Sequence, residues 1–191
     1  MAKRKDIART DLLDAAQALL HARGYDGFSF RDLAAEAGIS SASLHHHFPT
    51  KGDLAAAVVQ RYRDRLNRRL AMIAAENEDW PRRWRLVAAL LTRPDRAGDL
   101  PAVLAACFAS LPPPAQEEVR LLHSNLTGWL ARFIAEARKR TELPQETDVE
   151  ALAHSLFALL QGGLLLSRPG PGTLEGALKM AEAWALGGRP S

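Results

Sequence analysis

Apolar residues recur at three- and four-residue spacing along nearly the whole chain, and no stretch alternates convincingly with a period of two. That regularity restricts the fold to packed helices, because side chains three and four positions apart share one face of an α-helix. Leu12, Leu13, Ala16, Leu19 and Leu20 make the first stripe. Leu54, Val58, Tyr62, Leu66 and Ile73 make a long one. Val119, Leu122, Leu126, Trp129, Leu130, Phe133 and Ala137 make the clearest, within a helix predicted over 114–140. Further helices are predicted near 81–92, 101–110, 148–167 and 173–186. Pro94, Pro112-Pro113-Pro114, Pro144 and Pro169-Gly170-Pro171-Gly172 punctuate them. The expected fold class is all-α.

The first fifty residues carry closely spaced start and stop signals. Gly24 ends the first helix, since glycine enters the left-handed conformation without a Cβ penalty. Ser29 and Asp32 have the spacing of a capping box and open a short second helix, which Gly38 stops. Ser40 caps a third helix that reaches about His47. Pro49 cannot prolong it, and Thr50 with Asp53 opens the fourth. Two short helices joined by Gly38-Ile39-Ser40 have the proportions of a helix-turn-helix, whose second helix enters the major groove of DNA. Ser41, Ala42 and Ser43 occupy its first turn. They are small enough for close approach; serine bonds bases or phosphates, and alanine meets a thymine methyl.

Charge points the same way. Residues 1–70 hold twelve Lys or Arg against eight Asp or Glu, while the rest holds thirteen against fourteen. A basic part on a near-neutral body suits a polyanion partner. The single cysteine, Cys107, excludes an intrachain disulfide and a cysteine zinc cluster. His45, His46 and His47 are consecutive, so on a helix they point about 100° apart and do not converge on one ion. No metal and no cofactor is expected. No Gly-rich phosphate loop or nucleophile elbow is present, so the chain is not expected to be an enzyme. The charged N-terminus MAKRKDIARTD lacks an apolar signal region, and no apolar run is expected to reach bilayer length. A cytoplasmic protein with no membrane partner is the expectation.

Residues 10–59 resemble the DNA-binding domain of the TetR family of transcriptional repressors. Ala15-Ala16, Gly24-Tyr25, Phe30-Arg31-Asp32-Leu33-Ala34, Ala37-Gly38-Ile39-Ser40, Leu44, His47-Phe48, Lys51 and Leu54 carry the likeness. The resemblance implies a three-helix DNA-binding domain over 1–51 and a helical effector-binding and dimerisation domain over 52–191. It implies DNA contacts at Arg31, Ser41, Ala42 and Ser43, and a phosphate contact at Lys51 beside the positive end of the fourth helix. His45 stands where the family usually has tyrosine; its imidazole can still donate to a phosphate. His46 falls near the DNA backbone, and His47 matches a packing histidine beside Phe48. Lys3, Arg4 and Lys5 resemble a basic arm.

The same resemblance implies a homodimer that holds a near-palindromic operator in double-stranded DNA until a small, largely apolar effector releases it. Trp84, Leu90, Cys107, Phe108, His123, Leu126, Trp129 and Phe133 are candidate pocket residues. Leu156, Leu160, Gly163, Leu164, Leu178 and Ala181 are candidates for the dimer interface, with Gly162-Gly163 allowing close helix approach. Some TetR-like repressors sense electrophiles through a cysteine, so a redox or electrophile sensor acting through Cys107 is the alternative. Only the thiolate would react, and the alanine, phenylalanine and leucine around it do nothing to favour that form.

Overall fold

The computed structural model describes residues 9–75, 79–93, 98–140, 142–170 and 172–187. Among them there are nine α-helices and no strand. The helices are α1 (Arg9–Arg23), α2 (Phe30–Ala37), α3 (Ser41–His47), α4 (Lys51–Ala75), α5 (Trp80–Leu91), α6 (Leu100–Ala106), α7 (Pro113–Lys139), α8 (Val149–Leu166) and α9 (Thr173–Ala185). A 3-10 turn, Phe108–Ser110, lies between α6 and α7. Lys3, Arg4 and Lys5 lie outside the described residues.

Contacts gather the chain into two units. One holds the residues up to Asp64 together with Val103–Leu122; the other holds Arg65–Ala102 and the chain from His123 onward. The boundary expected between residues 51 and 52 falls inside the first unit.

The first unit is built on the stripe of α1. Leu12, Leu13, Ala16, Leu19 and Leu20 are all buried, as are Leu33 and Ala34 of α2, Leu44 of α3, and Leu54, Val58 and Val59 of α4. Removing each such leucine from water stabilises the fold by about 1.5–3 kcal/mol. The caps form at the expected places. Ser29 Oγ accepts from the Asp32 amide at 3.2 Å, and the Ser29 amide donates to Asp32 Oδ2 at 2.7 Å. That hydroxyl and amide hold the Asp32 carboxyl below its usual pKa. At α4 the Thr50 amide donates to Asp53 Oδ2 at 3.0 Å, and Thr50 Oγ1 accepts from the Asp53 amide at 3.1 Å.

The second unit buries Trp84, Val87 and Leu91 of α5, Leu126, Leu130, Phe133 and Ile134 of α7, Leu156 and Leu160 of α8, and Ala181 and Ala185 of α9. Two side chains inside it bond backbone carbonyls across long sequence separations. Trp80 Nε1 donates to the Ala185 carbonyl at 2.7 Å. Gln161 Nε2 donates to the carbonyls of Leu91 and Gly98, both at 3.0 Å. Gly163 lets α8 and α9 close together, since a Cβ added there would lie 2.4 Å from the Ala177 Cβ. By length and composition α8 is apolar enough to cross a bilayer, which corrects the expectation that no run reaches that length. Its Leu156, Leu160 and Leu164 are nonetheless buried inside the unit, as in the core helix of a folded domain. Along α4 the stripe also departs from expectation: Leu70 is buried, and Tyr62 and Ile73 are only half-buried.

Candidate nucleic-acid interface

The turn between α2 and α3 is made by Gly38, whose φ of 69° lies in the left-handed region. Its amide reaches the Ala35 carbonyl at 3.2 Å, and the Ile39 amide reaches the Ala34 carbonyl at 3.0 Å, which satisfies the end of α2. Ser40 then caps α3, its Oγ accepting from the Ser43 amide at 3.2 Å. Two helices of eight and seven residues are thereby locked around a three-residue turn.

On α3, Leu44 is fully buried and anchors the helix, while Ser41, Ala42, His45 and His46 are exposed. Spacings of one, four and five put those four on a common outward face. Ser43 and His47 are half-buried, and Phe48 is buried. Arg31, in the first turn of α2, is exposed. His45 packs edge-on against Phe30 with ring centroids 4.9 Å apart. Its Nδ1 lies 3.1 Å from the Pro49 carbonyl oxygen. A proton on Nδ1 is donated inward; the other ring nitrogen then accepts, and it donates to a phosphate only when the ring carries both protons.

Lys51 is tied back to the segment between α1 and α2. Its Nζ donates to the Tyr25 carbonyl oxygen, and to that of Phe28 at 2.6 Å. The ammonium also lies 4.2 Å from the Tyr25 ring centroid and 4.6 Å from that of Phe28. Burial in this cage lowers its pKa, against the opposing charges of Asp26 and Asp32. Two of its three donors are thus turned onto the segment between α1 and α2, not outward. Two arginines that sequence reasoning passed over also brace this unit. Arg61 donates to the Thr10 carbonyl at 2.9 Å and pairs with Asp14 at 2.7 Å, and Arg63 pairs with Glu118 at 2.7 Å.

The remaining candidates are dispersed. Trp84 and Leu126 are each 1% exposed and pack in the core of the second unit. Leu90 is half-buried on α5. Cys107 and Phe108 are half-buried in the first unit; Cys107 Sγ is 3.7 Å from the Leu104 carbonyl oxygen. His123 is exposed by area but packs edge-on against Phe157 at 4.9 Å, and partial desolvation of its ring, with His154 nearby, holds its pKa below the usual histidine value. Trp129 and Phe133 do line open recesses, as described below. Leu156, Leu160, Gly163, Leu164 and Ala181, expected at an interface with a second copy, are instead buried within the chain, where α8 packs on α9. Leu178 is half-buried.

A short helix with a small, polar, outward first turn, held behind a glycine turn on a three-helix core, defines a helix-turn-helix DNA-binding protein. A family profile described as bacterial regulatory proteins of the tetR family matches residues 12–58, and a second, the tetracyclin repressor-like C-terminal domain, matches residues 89–169. The chain belongs to the TetR family of transcriptional regulators. The HTH-type transcriptional repressor ComR of Escherichia coli is 27% identical to it, across 93% of this chain and 87% of that protein. A TetR transcriptional regulator from Legionella pneumophila has the same fold, with a TM-score of 0.80 and 27% identity over 97% of each chain. A putative transcriptional regulator from Saccharomonospora viridis, solved in complex with choline, superposes with a TM-score of 0.78 at 23% identity, covering 92% of this chain and 94% of that one.

Proposed function

We propose that the chain is a homodimeric repressor that holds a near-palindromic operator and is released by a small molecule. The observation that carries the DNA-binding part is the outward face of α3. Ser41, Ala42, His45 and His46 stand exposed above a fully buried Leu44, with Arg31 exposed on the preceding helix. Ser41 and Ala42 are assigned to base edges and Ser43 to the same turn. His45 and His46 are assigned to phosphates, with Arg31 adding charge. Lys51 is assigned to holding the Tyr25–Phe28 segment in place. One helix-turn-helix reads one half-site, so a two-fold dimer reads two. Operator DNA places this action in the cytoplasm.

The dimer is assigned to the outer faces of α8 and α9. Leu152, Ser155, Leu159, Gly162 and Leu166 follow one another at three- and four-residue spacing on the less buried side of α8, and Leu166 is 58% exposed. Gly162 and Gly176 have nothing within 4 Å of an added Cβ, so a neighbouring helix could approach closely at both. The small-molecule part draws support from a neighbour of the same fold that was solved in complex with choline.

Titration of the protein into labelled duplex DNA, followed by fluorescence anisotropy as salt is raised, tests the reading. Log affinity is expected to fall linearly with log salt, as counterion release requires. Failure to bind any duplex at low salt removes the proposal.

A further inference from the structure

Between α4 and α7 the second unit carries an open groove. Ala71 and Ala74 are exposed on α4, and their small side chains leave the space. One recess of about 370 Å³ is lined by Asn67, Ala71, Ser124, Asn125, Trp129 and Arg132. A second, of about 200 Å³, is lined by Ala74, Trp129, Arg132, Phe133 and Glu136. Trp129 and Arg132 belong to both, so the two adjoin.

The groove has a flat aromatic surface and an excess of positive charge. Trp129, half-buried, stacks on Phe133 with centroids 4.8 Å apart and ring planes 19° from parallel. Such a surface favours another planar group. Arg132 is exposed and makes no hydrogen bond or ion pair among the described residues. Arg83 is only 3% exposed, and its guanidinium lies 4.9 Å from the Phe133 ring centroid. Its Nη2 reaches the Ala74 carbonyl at 3.3 Å and Glu136 Oε2 at 3.4 Å, both at the long end of the hydrogen-bond range. Its Nε is buried without a partner. Glu136 is held closely by Arg140, at 2.5 Å. Arg83 and Arg140 therefore share one carboxylate while Arg132 lines the same recess without an ion pair among the described residues, and Arg83 is buried and incompletely bonded, a costly condition that added negative charge would offset.

We propose that this groove binds a small planar carboxylic acid, with its ring on Trp129 and its carboxylate on Arg132. The amides of Asn67 and Asn125 at the other end suit polar substituents on the ring. A planar guanidinium binds a carboxylate through paired N–H groups, which a neutral amide cannot reproduce. A quaternary ammonium would also sit on Trp129 but would face the arginines. The inference rests on the effector-responsive reading only for the consequence of binding.

Isothermal titration of the full chain with naphthoate, naphthamide and benzyltrimethylammonium tests it. Naphthoate is expected to bind saturably, naphthamide at least tenfold more weakly, and the ammonium more weakly still. Arg132→Gln, an exposed change, is expected to lower naphthoate affinity at least tenfold and leave naphthamide unaffected; Trp129→Ala is expected to weaken both. Equal binding of acid and amide, an unaltered Arg132→Gln, preference for the ammonium, or no saturable naphthoate binding overturns the proposal. Anisotropy with bound duplex separates the two readings. Naphthoate that binds through Arg132 without releasing DNA keeps the site and removes its coupling. Release by another molecule, unaffected by Arg132→Gln, keeps the repressor and shows that its effector binds elsewhere.

Discussion

The ammonium of Lys51 has three donors, and two of them are taken by the carbonyls of Tyr25 and Phe28. Lys51→Met keeps the length of the side chain and removes those bonds. It is expected to destabilise the first unit by about 1–3 kcal/mol in denaturant unfolding, while the slope of log DNA affinity against log salt changes by less than about half a unit. Unaltered stability with a slope smaller by roughly one unit would return Lys51 to the DNA backbone. The sequence placed this lysine at the start of a helix, where a phosphate role is physically sound. It could not show that Tyr25 and Phe28, more than twenty residues earlier, converge on it. A second side chain carries a pH dependence. Partial desolvation of its ring beside Phe157, with His154 nearby, keeps His123 below the ordinary histidine value of 6.5, so the unfolded chain takes up its proton first as pH falls. Stability contributed by neutral His123 is present above that value, declines as pH drops below it, and levels off below the folded pKa. The imidazole resonances of His123 should titrate with a midpoint under 6.5, and His123→Phe should flatten the stability profile in that window. A midpoint at or above 6.5 contradicts the assignment.

Helix ends were legible because they depend on neighbours in sequence. Ser29 with Asp32, Ser40, Thr50 with Asp53, and the glycines at 24 and 38 all cap where their spacing predicts. Which face of α8 turns inward was not legible. Leu152, Leu156, Leu159, Leu160, Leu164, Leu165 and Leu166 surround that helix, so its apolar pattern has no single direction. Tertiary packing alone selects Leu156, Leu160 and Leu164 for the core and leaves Leu152, Leu159 and Leu166 less buried. The two adjacent glycines of α8 test this division. Gly163→Ala puts a Cβ 2.4 Å from that of Ala177 and is expected to cost about 1–3 kcal/mol by overpacking. Gly162→Ala meets nothing within 4 Å and is expected to leave the monomer as stable or slightly more so, by up to about 1 kcal/mol of helix propensity. Thermal unfolding of both variants checks the ranking, and the opposite order would reverse the orientation of α8. The groove between α4 and α7 escaped sequence reading for a related reason. Ala71 and Ala74 create it by being small, whereas apolar spacing reports only where large side chains recur.

At the scale of the whole molecule, the family followed from the first sixty residues and the all-helical fold from the apolar spacing along the chain, and the effector side followed from neither. The DNA-binding half carries its chemistry in contiguous short helices, whereas the second unit joins segments 70 and 105 residues apart, as in the bonds from Gln161 to Leu91 and from Trp80 to Ala185. If α8 and α9 pair two copies through their outer faces, Leu159→Arg should yield a folded monomer by light scattering, with helical content unchanged and specific DNA affinity lost. A variant that stays dimeric moves the interface elsewhere. The central claim is that two copies of α3, related by two-fold symmetry, read one operator. Selection of bound duplexes from a random pool by the purified protein, followed by sequencing, measures that directly. The account predicts enrichment of an inverted repeat whose half-sites lie on one face of the duplex, roughly 10 base pairs or a multiple apart. Enrichment of a single asymmetric motif, or of no sequence at all, would contradict it.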